Sequence, residues 1–426
     1  MENKAILVGV NLNKQKHDFQ YSMEELENLA IACNIITVGN VTQNLNRINQ
    51  GHYIGSGKIE ELKEMVEETG ADTIIFDDEL SPSQIRNLES VIPDCEVVDR
   101  TTLILEIFAK RAKTRESKLQ VEIAQLRYRL PRLIGSRESL GRQGGGSGLN
   151  NRGAGETKLE MDRRKIEEQI AKLSRELEHL VSQRKMQRRK REKNEIPVVS
   201  LVGYTNAGKS TMMNAVLEFY NEEKDKQVFE KNMLFATLET SVRSVTLGTN
   251  QTFLLTDTVG FINKLPHHLV KAFRSTLEEV AEADLLIHVI DLSNPHHAEQ
   301  RQLTNEILEE IGIEGIPVIH AYNKVDLLEG NYPLVDGNNV YVSAKNRQGM
   351  ETLTEQIKQQ IFNDYVRCEL LIPYTDGQIV SYFNERADVL EEDFAPEGTK
   401  LVVDCKKADA EKFQEFITHI YRKEGE

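Results

Sequence analysis

Residues 203–210 read Gly203-Tyr204-Thr205-Asn206-Ala207-Gly208-Lys209-Ser210, the G-x-x-x-x-G-K-S spacing that cradles a chain of phosphates. Glycines let the backbone wrap the phosphates. Successive N–H groups then point inward at the start of a helix, where the helix dipole favours negative charge. Lys209 adds a point charge for the outer phosphates, and the Ser210 hydroxyl is an oxygen ligand for magnesium. The apolar, β-branched run 197–202 before the loop reads as a buried strand, and a helix is expected from about Thr211. Strand, loop and helix in this order are the context such a loop requires.

Four further strings follow in chain order. Phe235-Ala236-Thr237-Leu238-Glu239 offers Thr237 to close over magnesium and a γ-phosphate. Asp257-Thr258-Val259-Gly260 follows the strand pattern 253–256. Its aspartate suits the outer shell of the metal, and the Gly260 N–H suits a γ-phosphate. Asn323-Lys324-Val325-Asp326 follows the strand pattern 318–322. The Asp326 carboxylate accepts from the N1–H and 2-amino group of guanine together. Adenine has neither donor and would leave a desolvated charge unpaired. Asn323 suits the base N7 and the bracing of the loop, and the Lys324 stem suits the face of the base. Ser343-Ala344-Lys345 offers the Ala344 N–H to guanine O6. The set implies a domain binding GTP and GDP with magnesium, its loops gathered at one rim of a parallel sheet. Lys209, Thr237, Gly260 and Asn206 are the residues expected to act in hydrolysis, and Ser210, Thr237 and Asp257 those expected around the metal.

Phe261 stands where Ras-like GTPases carry a water-positioning glutamine. A phenylalanine does not orient water, so either hydrolysis is slow or a partner or ion completes the site. Asn206 resembles an asparagine with which some GTPases hold potassium; bracing of the loop is the equal alternative. The pairs 267–268 and 296–297 are adjacent histidines, which point about 100° apart on a helix. They read as helix starts and not as metal ligands.

These residues need elements to hold them. The 426 residues carry a net charge of −15. Residues 110–193 carry 24 Lys and Arg against 11 Asp and Glu, a net +13, which leaves −28 for the rest. An acidic chain with one concentrated basic stretch has one place for a polyanion, which argues against a signalling switch that never meets RNA. The four cysteines are far apart and fit buried thiols in a reducing compartment. The opening residues read as a strand and not a signal peptide, and no stretch approaches the ~18 apolar residues of a membrane span. The expected location is the cytoplasm and the expected state a monomer.

The pattern divides the chain into four. Residues 1–110 alternate strand and helix, with strands at Ala5–Val10, Ile35–Val38, Thr73–Phe76 and Glu96–Val98. Ser81-Pro82 opens a helix through Val91, with serine as cap. Gly55-Ser56-Gly57-Lys58 is half a phosphate loop without its strand and reads as a helix start. Residues 111–195 form an antiparallel helical hairpin: one helical pattern over Leu103–Leu130 and another over 156–192, around a glycine-rich tip at 141–155. Within the tip, Arg142, Gly144, Gly145, Gly146, Asn150, Asn151 and Arg152 are the residues suited to RNA phosphates and unpaired bases. Residues 196–365 are the second α/β domain. Residues 366–426 are a small α+β unit with strands at Cys368–Ile372 and Leu401–Asp404 and helices at Gly377–Arg386 and Ala408–Tyr421. It is expected to lean on a neighbour for want of a core.

With these residues in place, the chain resembles the HflX family of ribosome-associated GTPases, in the TRAFAC class. The resemblance is carried by Gly55-Ser56-Gly57-Lys58-Ile59-Glu60-Glu61, Glu79-Leu80-Ser81-Pro82-Ser83-Gln84, Asp99-Arg100-Thr101, Leu119-Gln120-Val121-Glu122, Gln125-Leu126-Arg127 and Gly153-Ala154-Gly155-Glu156, as well as by the phosphate loop, Phe235-Ala236-Thr237-Leu238 and Asp257-Thr258-Val259-Gly260-Phe261. It implies an α/β N-terminal domain with a long antiparallel helical hairpin, a P-loop GTPase domain with a mostly parallel sheet, and binding to the large ribosomal subunit and its RNA. It further implies splitting or rescue of stalled ribosomes under stress, or subunit maturation in which hydrolysis only times release. Glu239-Thr240-Ser241 departs from the family's usual Asp-Pro-Thr. Some members are described as binding ATP at the N-terminal domain, but no phosphate loop is visible there in this chain.

Overall fold

The computed structural model describes residues 3–12, 18–136, 151–192, 196–220, 234–235, 240–247, 251–266, 269, 280–330 and 335–421; residues 134–136, 151–159, 184–185 and 187–192 are described by backbone alone. Ala236, Thr237, Leu238 and Glu239 fall outside these residues, as do Arg142, Gly144, Gly145, Gly146, Asn150 and the histidines 267–268. The chain divides into two compact units. One is Met1–Arg188 with Lys231–Glu239 and Phe261–Ser275; the other is Arg189–Glu230, Thr240–Gly260 and Thr276–Glu426. Two stretches that lie in sequence within 196–365 thus belong to the N-terminal unit.

In the first unit, β1 (Lys4–Leu12), β2 (Ile36–Leu45), β3 (Thr73–Phe76) and β4 (Glu96–Asp99) form a parallel sheet in the order β2-β1-β3-β4. Ala5–Val10 is buried throughout, as a run of apolar residues covered on both faces must be. Helices α1 (Asp18–Ala32), α2 (Ser56–Thr69) and α3 (Pro82–Val91) connect the strands. Ser81 caps α3 in a full capping box with Gln84, and Pro82 opens the first turn. Gly55 is the cap of α2, so the half-loop at 55–58 is a helix start.

The single helix expected over Leu103–Leu130 is two, α4 (Arg100–Arg111) and α5 (Arg115–Ser136). Ala112 is extended, and the Thr114 hydroxyl accepts from Ser117 N at 3.2 Å. A side-chain oxygen that caps a new helix competes with continuation of the old one. The second hairpin helix, α6, runs Asn151–Glu192, so Asn151, Arg152 and Gly153-Ala154-Gly155 are helical and not part of the tip. Helices α5 and α6 run antiparallel: Arg115 pairs with Glu176, and Glu122 with Gln169. Their seam is Leu119 and Ile123 against Leu173, flanked by Leu126, Ile170 and Leu177.

The second unit carries a seven-stranded sheet in the order β10-β11-β9-β8-β5-β7-β6. Its strands are β5 (Val198–Val202), β6 (Ser241–Thr246), β7 (Thr252–Asp257), β8 (Leu285–Asp291), β9 (Val318–Asn323), β10 (Val335–Asp336) and β11 (Asn339–Tyr341). β6 and β10 run antiparallel to their neighbours, and all other pairings are parallel. Helix α7 (Lys209–Tyr220) and the helix Met350–Ile361 cover one face through Met213, Val216, Leu353 and Ile357. A separate antiparallel sheet follows, β13-β14-β12-β15, built from Tyr365–Ile372, Asp388–Ala395, Gly398–Lys406 and Ile417–Tyr421 (β12 to β15). The helix expected over Ala408–Tyr421 stops at Lys412, and Ile417–Tyr421, rich in β-branched and aromatic residues, pairs with β12 instead. Four strands give this region a core of its own, with Leu370, Phe383, Leu401 and Val403 fully buried.

Candidate functional site

Strand β5 delivers the chain into the loop 203–208, and α7 begins at Lys209. Gly208 has φ +97°, and a Cβ there would strike the Asn323 amide, so glycine is required both by conformation and by space. Asn206 is exposed and left-handed, with φ +62°. The Lys209 ammonium is buried and donates to the Gly203 and Tyr204 carbonyls at 3.1 and 2.8 Å. Burial pushes its pKa down to about 8 against the opposing pull of Asp257. Ser210 Oγ donates to Asp257 Oδ2 at 2.6 Å, which brings the hydroxyl of the first helical turn and the carboxylate at the end of β7 together.

Asn323, at the end of β9, joins three of the loops. Its Nδ2 donates to the Ala207 carbonyl at 2.9 Å, and its Oδ1 accepts from Ala344 N at 3.0 Å. Asn323 thus ties the phosphate loop to the loop after β11, and the Ala344 N–H, expected at a base oxygen, is bonded to Asn323. Ser343 Oγ donates to Asp326 Oδ1 at 2.6 Å and fixes that carboxylate. Lys324 is left-handed, and its ammonium pairs with Asp291 at 2.7 Å, which pins the stem. Thr258 donates to the Leu201 carbonyl at 2.6 Å, and Val259 is buried. Loops from the ends of β5, β7, β9 and β11 therefore meet at the carboxyl rim of one sheet, where open parallel sheets take their ligands.

The N-terminal unit holds a buried ionic cluster around Arg100, one of the residues that carry the family resemblance. Arg100 is 1 % exposed and reaches Glu25 at 2.7 Å, Asp77 at 2.6 Å and the Ser22 carbonyl at 2.8 Å. Burial opposes the charge on Asp77, but Arg100 and Lys264 outweigh it and hold the carboxyl down at about 2. Arg100 stays charged because Asp77 and Glu25 outweigh its own burial. Asp99 caps α4 through Thr102 N at 2.9 Å and accepts from Arg132 at 2.7 Å. Phe235 is buried and meets Phe108 edge-on at 4.7 Å. A lone arginine in a short string gives no hint of burial; only its distant partners do.

Comparison with known proteins fits this arrangement. The family described as GTP-binding GTPase N-terminal matches residues 20–109, its middle region residues 111–191, and the family described as 50S ribosome-binding GTPase residues 198–324. The GTPase HflX of Caldanaerobacter subterraneus subsp. tengcongensis is 45% identical over 418 residues, covering 98% of this chain and 94% of its own. The GTPase HflX of Escherichia coli K12 is 38% identical over 402 residues, covering 93% and 92%. Among solved structures, a GTP-binding protein of the archaeon Sulfolobus solfataricus in complex with GDP is 26% identical, covers 85% of this chain and 99% of its own, and has a TM-score of 0.42.

Proposed function

The chain belongs to the GTPase HflX family and is a GTP hydrolase, and from that premise we propose that it works in the cytoplasm, as a monomer, on the large ribosomal subunit, splitting or rescuing stalled ribosomes under stress. Asp326, oriented by Ser343, selects guanine, and the Lys324 stem lies along the base. Lys209 turns its ammonium from its own loop carbonyls to the outer phosphates, aided by the N–H groups of residues 203–211. Ser210 and Asp257 present two hard oxygens at the head of α7, the donor chemistry magnesium takes, with Thr237 as the third candidate. Bound there, magnesium neutralises charge on the phosphate oxygens. Potassium is assigned to the exposed Asn206, and turnover in potassium against sodium tests it.

The observation that carries the ribosomal reading is the confinement of net positive charge to residues 110–193, most of them in the helical pair α5 and α6, in a chain that is otherwise strongly acidic. Such a segment gives RNA one contact arm. The description of the matched family, 50S ribosome-binding GTPase, supports the same partner. Domain limits at 1–110, 111–195, 196–365 and 366–426 are proposed with it. The test is sedimentation with intact ribosomes and a non-hydrolysable GTP analogue. Conversion of intact ribosomes to subunits is the expected result. Binding to free large subunits or their precursors alone would instead make the protein an assembly or placeholder factor.

A further inference from the structure

The loop that follows β8 belongs to none of the strings that mark the nucleotide site, yet it is bonded into the same rim. β8 lies between β5 and β9 in the sheet, and Asp291, its last residue, registers with Asn323 at the end of β9. Leu292 N donates to the Asn323 carbonyl at 3.0 Å, so the loops after β8 and β9 leave the sheet joined. The two oxygens of Asp291 have separate partners. Oδ1 accepts from Ser293 N at 3.1 Å and from Ser293 Oγ at 2.6 Å, which closes the turn on itself. Oδ2 accepts from Lys324 Nζ at 2.7 Å. The Lys324 and Asp291 side chains are 25 % and 14 % exposed, so the pair is sheltered from the solvent that weakens surface ion pairs. Lys324 itself has φ +65°, a conformation an L residue seldom adopts, and carries a flexible four-carbon stem. Its direction is therefore set at two points, the left-handed backbone and the carboxylate that holds its far end. Asp291, Ser293, Asn323, Lys324 and Asp326 all lie in the second unit.

We propose that Asp291 is a positioning residue for nucleotide binding: with Oδ1 fixed by Ser293 and Oδ2 on the Lys324 ammonium, it holds the Lys324 stem as a standing wall of the base pocket before any base arrives. This rests on the guanine-binding reading above. A long side chain that is already immobilised has little rotamer freedom left to lose on binding, so affinity rises without a new contact to the ligand. The wall meets the face of the base and is indifferent to the groups on its edge. The Asp326 carboxylate meets that edge. Asp291 therefore sets how tightly a purine is held, and Asp326 sets which purine it is.

The test is titration of the full chain, as wild type, Asp291→Asn, Lys324→Met and the double variant, with GDP, a non-hydrolysable GTP analogue, inosine diphosphate and ribose 5′-triphosphate, which has no base. Steady-state hydrolysis is measured alongside. Asp291→Asn keeps an oxygen for Ser293 and turns an amide NH2, which cannot accept, toward Lys324. It is expected to weaken GDP and the GTP analogue by the same factor, about three- to tenfold. Ribose 5′-triphosphate binding and the guanine-to-hypoxanthine preference stay as in wild type. KM for GTP rises by that factor and kcat stays within about twofold, since KM approximates Kd when chemistry is slow. Lys324→Met keeps an apolar stem without its anchor and shows a similar loss, to which the double variant adds little. Unchanged GDP affinity in Asp291→Asn, or full additivity in the double variant, would overturn the proposal. So would an equal loss for ribose 5′-triphosphate, which would make Asp291 a support of the whole rim. A wild-type chain that binds GDP no better than ADP would instead overturn the guanine pocket, and the proposal with it.

Discussion

Asp326 has one carboxylate oxygen fixed by the Ser343 hydroxyl, so its direction is set before any base arrives. Asp326→Asn replaces an acceptor by an amide donor. GTP affinity is expected to fall by several kcal/mol and xanthosine triphosphate, whose 2-oxo group needs a donor, to gain relative affinity; competition binding with both nucleotides measures it. Lys209 gives a pH signature. Its pKa of about 8 in the folded chain lies below the ordinary 10.5, so the unfolded chain holds the proton more tightly. Below pH 8 both states are protonated and the fold carries the full cost of the buried charge. As pH rises from 8 to 10.5 that cost is relieved, and this residue's contribution to stability improves. Triphosphate binding demands the opposite, a charged ammonium. GTP affinity is therefore expected to decline as pH rises through about 8, with proton uptake on binding near pH 8.5. Calorimetry in two buffers of different ionisation heat reads that uptake directly, and none would show that Lys209 stays charged without ligand. The loop residues were legible because their chemistry is contiguous in the chain. Arg100, Asp77 and Lys264 were not, because a charge read singly looks solvated, and what buries each is a partner at least 23 positions away.

The helical pair α5 and α6 depends on a narrow apolar seam, since α6 is polar over most of its length. Leu173 packs with Leu119 and Ile123, and Leu126, Ile170, Leu177 and Leu180 pack against these three. Leu173→Ala is expected to cost about 2–4 kcal/mol locally, by lost transfer energy and an unfilled cavity. Hydrogen exchange should then accelerate in α5 and α6, while β1 to β4 and the second unit's sheet keep their protection. Uniform acceleration across the chain would show that the pair is part of one cooperative whole. Legibility at this scale followed periodicity. Strands β1, β3, β5 and β7 are apolar runs between turn signals and were placed within a few residues. The break at Ala112 and Thr114 was hidden because the apolar period continues across it, and only the Thr114 cap resets the helix. β15 was hidden because the good helix formers of 407–412 run on into it. Pairing with the exposed edge of β12 decides the conformation there, and local propensity does not.

Across the whole molecule the charge is unevenly divided, with a net +13 in residues 110–193 against −28 elsewhere. Free acidic surface repels RNA, so contact is confined to the basic stretch, and affinity should depend steeply on salt as counterions are released. Each helical residue adds ~1.5 Å, so the 22 residues of α5 and 42 of α6 make a long arm. Residues 141–155 take in the glycine-rich segment before α6 and the first residues of α6 itself, and Arg142 and Arg152 are their cations. Replacement of 141–155 by a short serine-rich turn removes two charges and the glycines whose bare backbone suits close approach to RNA. The nucleotide loops lie in other parts of the chain, so GDP and GTP binding should be unaffected. Ribosome affinity, ribosome-stimulated hydrolysis and any subunit splitting should fall together. Pelleting with large subunits across a salt series separates the explanations. A weaker affinity with a slope reduced by about two, one per lost phosphate contact, means that the arginines meet RNA. A weaker affinity with the wild-type slope assigns the loss to the glycine backbone. Wild-type affinity with the wild-type slope means that the segment only connects the helices and the basic faces of α5 and α6 carry the contact.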